Sequence, residues 1–349
     1  MQSLARRLEQ GGALSCAGVS RAAQPFLAAL VRHLFPERPL LVVTEGLKTQ
    51  ESFLQDITTW TSTLGPEPGE APARTAPPSQ LLFYPSWENL PHEDRRPHVD
   101  VIAERLETLV ALARYDSRPG SAPLIVTSVA ALLQRTFPRE RLQQQTRSLS
   151  RGERVDPLDL VEWLEGLGYE PEAQVTQKGE LALRGGILDL YPVTSPWPVR
   201  LEFFGDELES LRHFDPLTQI SREEITTVTI PPAGELGLLK KLPPADSSGK
   251  KASADGDSGM RGLATLLDYL PPQTVLLLCE PDQLDERARE YAAQVPAADR
   301  FFIDWADFQS QALVCGLTQL SVTELEQTQG QQDLPQERLE LSIQSLDPF

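Results

Sequence analysis

The chain has 349 residues, 40% of them hydrophobic, with 50 acidic against 32 basic side chains and a formal charge of −18. That is enough apolar material for a sizeable core divided among two or three domains, which excludes a disordered or fibrous chain. The acidic excess repels a phosphate backbone at long range, so nonspecific nucleic-acid binding by the bulk surface is excluded as well.

The first twelve residues are amphipathic and charged and lack the apolar centre of a signal segment, and no later run reaches membrane-spanning length. Cys16, Cys279 and Cys315 lie far apart, two of them inside apolar runs, which fits a reducing compartment and neither a disulfide framework nor a zinc site. The chain reads as cytoplasmic, with no membrane partner, no metal and no other cofactor.

From Ala13 to about Thr136, apolar runs alternate with helical patterns: strand Leu14–Ala17, helix Phe26–Phe35, strands Leu40–Thr44 and Gln80–Tyr84, helix Val101–Ala113 and strand Leu124–Thr127. Such alternation predicts a parallel sheet with crossover helices. Gly65–Pro78 is rich in Pro, Ala and Gly and reads as a loop. Beyond Pro138 the texture changes to α+β. A helix Asp156–Leu167 precedes period-two strands Leu181–Tyr191, Val199–Phe204, Glu207–Phe214 and Thr226–Ile230, with Gly205-Asp206 turning a hairpin.

Residues 240–262 carry almost nothing apolar and read as a disordered insertion. Helix Gly262–Tyr269, strand Thr274–Cys279 and helix Asp282–Ala293 follow, then strand-like Phe301–Ile303 and Leu313–Leu320. Leu339–Ile343 reads as a strand shortly before the last residue, Phe349, so the chain is expected to be cut rather than finished. The fold class expected is α/β with an α+β insert.

Two places bear on chemistry. A phosphate-binding loop needs G-x-x-x-x-G-K-[ST] between a strand and a helix, because glycine amides cradle phosphate, Lys neutralises it and the hydroxyl holds Mg²⁺. After strand Leu14–Ala17 comes Gly18, and the three diagnostic positions are Ala23, Gln24 and Pro25. Arg21 leaves one positive group nearby. The segment is either a degenerate nucleotide site or a plain strand–turn–helix in which Pro25 starts the helix. Val275–Cys279 followed by Glu280 and Asp282 has the look of a Mg²⁺-holding strand end, but without a working phosphate loop it reads as a buried strand with a polar end.

The second place is Leu183-Arg184-Gly185-Gly186-Ile187-Leu188-Asp189, where an arginine interrupts an apolar strand and two glycines follow. The glycines predict a bulge or a close backbone approach. Arg184 reads either as a surface partner of Glu202 or as a protein-binding hot spot. His92, Glu93, Asp94, His98 and Asp100 lack a His four residues after His92, where Arg96 stands, and lie between prolines. No metal site is therefore expected there. No Gly-x-Ser-x-Gly elbow occurs, and the five tryptophans read as core or interface anchors.

The block Leu183–Pro192 followed by Val199–Pro216 resembles one shared by excinuclease B and the transcription-repair coupling factors. Tyr84-Pro-Ser-Trp87-Glu88-Asn-Leu-Pro91, Arg96-Pro-His98-Val-Asp100 running into Arg105, and Asp268-Tyr-Leu-Pro-Pro272 favour the coupling factors. Only a short loop joins Trp87 to the helix at Val101, where excinuclease B carries a long DNA-clamping hairpin.

The resemblance implies a degenerate helicase-like domain 1A at 1–137, an α+β domain 2 at 138–233 that binds the excinuclease damage-recognition protein UvrA, and a mixed domain 1B at 234–349. It implies a non-catalytic adaptor in transcription-coupled nucleotide-excision repair. Arg184 would supply charged hydrogen bonds, Leu188 an apolar anchor, and Gly185 and Gly186 close approach. RNA polymerase and DNA are expected as partners only through regions that follow in full-length relatives. The alternative is an excinuclease-B-like, nucleotide-dependent helicase or repair protein, which would need Lys at position 24 and Ser or Thr at 25. In excinuclease B the strand carries two arginines in Arg-x-Arg-Gly; here the first falls on Ala182 and only Arg184 remains.

Overall fold

The computed structural model describes residues 2–63, 81–93, 95, 97–116, 122–242, 262–324 and 337–340. In chain order the first elements are α1 Gln2–Gln10, β1 Ala13–Ala17, α2 Gln24–Leu34, β2 Leu40–Thr44, α3 Leu47–Thr63, β3 Leu81–Tyr84, α4 Val99–Arg114, β4 Leu124–Ser128 and α5 Val129–Leu132. Then follow α6 Arg139–Gln144, β5 Arg147–Ser150, α7 Pro157–Gly166, β6 Glu170–Pro171, β7 Glu180–Arg184, β8 Ile187–Leu190, β9 Val199–Phe204, β10 Glu207–Phe214, β11 Ser221–Glu224 and β12 Thr227–Ile230. The last are α8 Leu236–Lys240, β13 Val275–Cys279, α9 Pro281–Ala292, α10 Trp305–Val314, β14 Thr318–Thr323 and β15 Glu337–Glu340.

These elements form two compact units, one of Met1–Ser86, Tyr115–Gln134 and Tyr269–Phe349, the other of Trp87–Arg114 and Arg135–Asp268. The first is built on a parallel sheet in the order β15-β1-β14-β13-β2-β4-β3. Every residue of β2, β4 and β13 is buried. A strand buried on both faces needs no polar alternation, which is why these three read as unbroken Leu/Val/Ile runs. Leu14, Cys16, Val42 and Leu277 of the sheet share one core with Leu27 and Val31 of α2 and Phe53 and Ile57 of α3.

The second unit holds a six-stranded sheet in the order β11-β10-β9-β8-β7-β6, antiparallel except for the short β6–β7 pair, and a separate antiparallel pair of β12 with β5. Asp156 caps α7 by accepting from the amides of Leu158 and Asp159, with Pro157 in the first turn. The fold is thus mixed α/β, a parallel sheet accompanied by separate antiparallel sheets.

Several expectations change. Leu181–Tyr191 is not one strand but the hairpin β7–β8. Phe301–Ile303 forms no strand beyond a single bridge at Phe302, and Leu313 lies in the last turn of α10, with β14 starting only at Thr318. The expected helix at Gly262–Tyr269 is a 3₁₀ turn, Leu266–Tyr269. The compact units also divide the chain elsewhere than at 138 and 234, because β13, β14 and β15 enter the same sheet as β1 to β4. Periodicity identifies strands but not the sheet that each joins. The loop at 65–78 and most of the insertion, 243–261, lie outside the described residues. Among the described residues no helix is long and apolar enough to cross a membrane.

Candidate functional site

The β7–β8 hairpin turns on Gly185-Gly186, with Arg184 paired to Ile187 across a two-residue loop. Gly185 takes φ +61°, the left-handed value that the first central residue of a type II′ hairpin turn requires. At Gly186 the constraint is steric: a Cβ would lie 2.8 Å from the Phe203 carbonyl oxygen of β9. The Phe203 amide donates to the Gly186 carbonyl at 2.7 Å. The close approach anticipated for these glycines is thus partly taken up by the chain itself, which fastens the hairpin tip to its neighbour strand.

Directly opposed residues in a sheet share a face. Register therefore puts Arg184, Ile187, Asp189, Arg200, Glu202 and Arg212 on one face of the second unit's sheet. Across its middle the charges are matched. Arg200 donates to both oxygens of Asp189 at 2.7 and 2.9 Å, a fork that holds its guanidinium above its ordinary pKa. Arg212 and the Ser210 hydroxyl both donate to Glu202, at 2.8 and 2.6 Å. Glu202, the candidate surface partner of Arg184, is therefore engaged elsewhere. Arg184 is exposed at the strand end and pairs with no group among the described residues.

Leu188, the expected apolar anchor, needs correcting, since it is 0% exposed and pairs with the equally buried Leu201 on the core face. The apolar side chain beside Arg184 is Ile187, 39% exposed.

The turn after β1 behaves in the opposite way. Gly18 takes φ +79° and is followed by a 3₁₀ turn, Arg21–Ala23, leading into α2 with Pro25 in its first turn. Gln24, at the lysine position of a phosphate loop, is 1% exposed, and its Nε2 donates to Glu280 Oε1 at 2.6 Å. Glu280 itself sits at φ 54° between β13 and α9, and the same oxygen accepts the Glu324 amide at 2.9 Å. Arg21 leans toward Glu324 at 3.7 Å. A carboxylate thus meets the side chain where a nucleotide would require positive charge, and the Gln24 amide is already used. Burial, reinforced by the charge of Glu280, pushes the Cys279 thiol above the ordinary thiol range, and burial raises the Cys16 thiol to about 11.

Sequence reading missed the role of Glu235, which is fully buried together with Arg105. The Glu235 carboxylate accepts two bonds from Arg105, at 2.7 and 3.1 Å, one from the Trp87 indole N–H at 2.9 Å and one from the Thr136 hydroxyl at 2.7 Å. The guanidinium also lies over the Trp87 ring, 4.6 Å from its centroid. Trp87 and Arg105, singled out by resemblance, therefore clasp a buried carboxylate; the available signal was an isolated acid in the apolar run around Leu236–Leu239. Among the described residues no cluster of His, Cys, Asp and Glu is arranged to hold a metal ion.

Residues 148–236, which contain the hairpin and end just after Glu235, match the UvrB interaction domain. The chain is 32% identical over 230 residues to the transcription-repair-coupling factor of Haemophilus influenzae, covering 58% of this chain and 20% of that protein. It is 34% identical over 244 residues to that of Mycobacterium tuberculosis, covering 60% and 20%. With that of Bacillus subtilis the figures are 29% over 310 residues, 77% and 24%. The matched segments thus span about a fifth to a quarter of these relatives' length. Residues 148–236 have the sequence of a UvrB interaction domain, carried in a chain similar to the transcription-repair-coupling factors.

Proposed function

We propose that this chain is a non-catalytic adaptor of transcription-coupled nucleotide-excision repair and that residues 138–233 dock UvrA. The observation that carries the reading is Arg184. It stands unpaired among the described residues and exposed at a fastened hairpin tip, within the segment that matches the UvrB interaction domain, while Arg200 and Arg212 on the same face are matched. An arginine held on a rigid turn offers a carboxylate two parallel hydrogen bonds at little further entropic cost. Gly185 adds no bulk at the tip, and buried Leu188 supports the hairpin from beneath. RNA polymerase and DNA are engaged, in this reading, through other parts of a longer protein.

The same reading gives the turn at Gly18, Ala23, Gln24 and Pro25 no catalytic role in a degenerate helicase-like sheet. Titration calorimetry with UvrA should give saturable binding, and purified protein with Mg-ATP should release no phosphate. Absence of binding up to the solubility limit would remove the docking role, and steady phosphate release would remove the adaptor reading.

A further inference from the structure

We propose that helix α4 splints the stem of the six-stranded sheet, through the buried clasp at Glu235 and a second grip at Arg114, and so fixes the direction in which that sheet is presented. Glu235, Arg105 and Arg114 are then positioning residues. The inference concerns how the sheet is held and stands whatever the sheet binds.

The chain enters and leaves the six-stranded sheet through one ribbon, β5 paired with β12, which is a two-stranded sheet of its own. Just past β5 the Gly152 amide donates to the Leu208 carbonyl at 2.8 Å and the Val155 amide to the Asp206 carbonyl at 2.8 Å. The Leu208 amide returns a bond to the Glu153 carbonyl at 2.9 Å. The ribbon is thereby fastened to the start of β10, and ribbon and sheet turn together. A two-stranded ribbon is only marginally stable in water by itself, so its direction needs a support from outside.

Helix α4 supplies that support at both of its faces toward the stem. Arg114 donates to Thr229 Oγ1 at 2.9 Å and to Ser148 Oγ at 3.0 Å, bridging a residue of β12 and its register partner in β5. The Ala113 carbonyl accepts from Arg139 and Gln143 of α6, just before β5, at 3.1 and 2.7 Å. Thr136 precedes α6 and Glu235 follows β12, and both meet Arg105 of α4 at the Glu235 carboxylate. The incoming and outgoing passages of the chain are thus tied to one helix at one buried point. Burying an ion pair adds little stability, since desolvation offsets most of the attraction and an apolar cluster of similar volume serves as well. The pair does supply direction, because the arginine fork meets a carboxylate in a fixed plane whereas apolar side chains slide.

The test is the distance distribution between spin labels at Asp100→Cys, exposed on α4, and Glu209→Cys, exposed on β10, in the full chain with Cys315→Ser; Cys16 and Cys279 are buried. It is recorded on that background, on the all-apolar combination Trp87→Phe, Arg105→Met, Thr136→Val and Glu235→Leu, and on Arg114→Ala, with thermal melting and UvrA affinity alongside. The background should give one narrow peak, and the all-apolar variant a peak about twofold or more broader with melting within about 5 °C. Arg114→Ala should broaden the peak with melting unchanged. Affinity for UvrA should stay within about threefold in both, because the hairpin tips are untouched. A folded all-apolar variant with the background width overturns the inference. Should that variant not fold, Arg114→Ala decides, since it removes exposed bonds only, and an unchanged width there overturns it. Affinity lost at unchanged width overturns it too, by making the clasp a support of the tips rather than of the stem.

Discussion

The turn after β1 and the β7–β8 tip both rest on a glycine at positive φ, yet they treat their polar groups in opposite ways. At the first, Gln24 is buried and spends its amide on Glu280, whose oxygen also takes the Glu324 amide. At the second, the backbone is equally well fastened, but Arg184 is left without a partner among the described residues. A turn that satisfies its own donors has nothing to offer a ligand. One that is rigid in its backbone and open in its side chains is ready for a partner at low entropic cost. On the proposed reading, the more familiar-looking motif is the one without a ligand to serve.

The comparison breaks most directly at Glu280. Replacing it with Ala leaves the buried Gln24 amide without its short acceptor and should cost about 2 kcal/mol, read as a lower urea midpoint at constant slope. An unchanged midpoint would mean that the turn is not held by this contact. Gly186→Ala forces a methyl group against the Phe203 carbonyl and should cost about 1 kcal/mol or more, with weaker partner binding because the tip moves. Full stability in that variant would show that the two tips are not fastened as described.

A smaller effect concerns thiol reactivity. Raised pKa values keep Cys16 and Cys279 protonated at neutral pH, so exposed Cys315 should alkylate first and the other two only as the pH rises toward their higher range. Glu280→Ala removes the charge that helps to raise Cys279 and should speed its labelling severalfold, followed by peptide mass analysis. Labelling of Cys279 as fast as Cys315 in the wild type would contradict a closed turn.

Much of the fold was legible because β2, β4 and β13 are buried on both faces and so read as unbroken apolar runs. Helix α3 left no such trace. Its threonines lower helix propensity, and Thr58, Thr59 and Thr61 bond back to the carbonyls of Leu54, Gln55 and Ile57. At the candidate hairpin the residues stood out in the sequence, but their phase did not. In one continuous strand Arg184 and Leu188, four apart, would share a face, whereas a two-residue turn pairs Arg184 with Ile187 and sends Leu188 into the core. The match between Arg105 and Glu235 was illegible for another reason, since 130 residues separate them.

The central claim is that Arg184 is left open in the free protein because a partner satisfies it. Affinity for UvrA and thermal melting should be measured together on Arg184→Ala, with Lys178→Ala as a charge-matched control. The account predicts a loss of about 2 kcal/mol in binding for Arg184→Ala, roughly thirtyfold, with melting unchanged and Lys178→Ala near wild type. Equal small losses for both variants, or a collapse of the Arg184→Ala melting temperature, would contradict it.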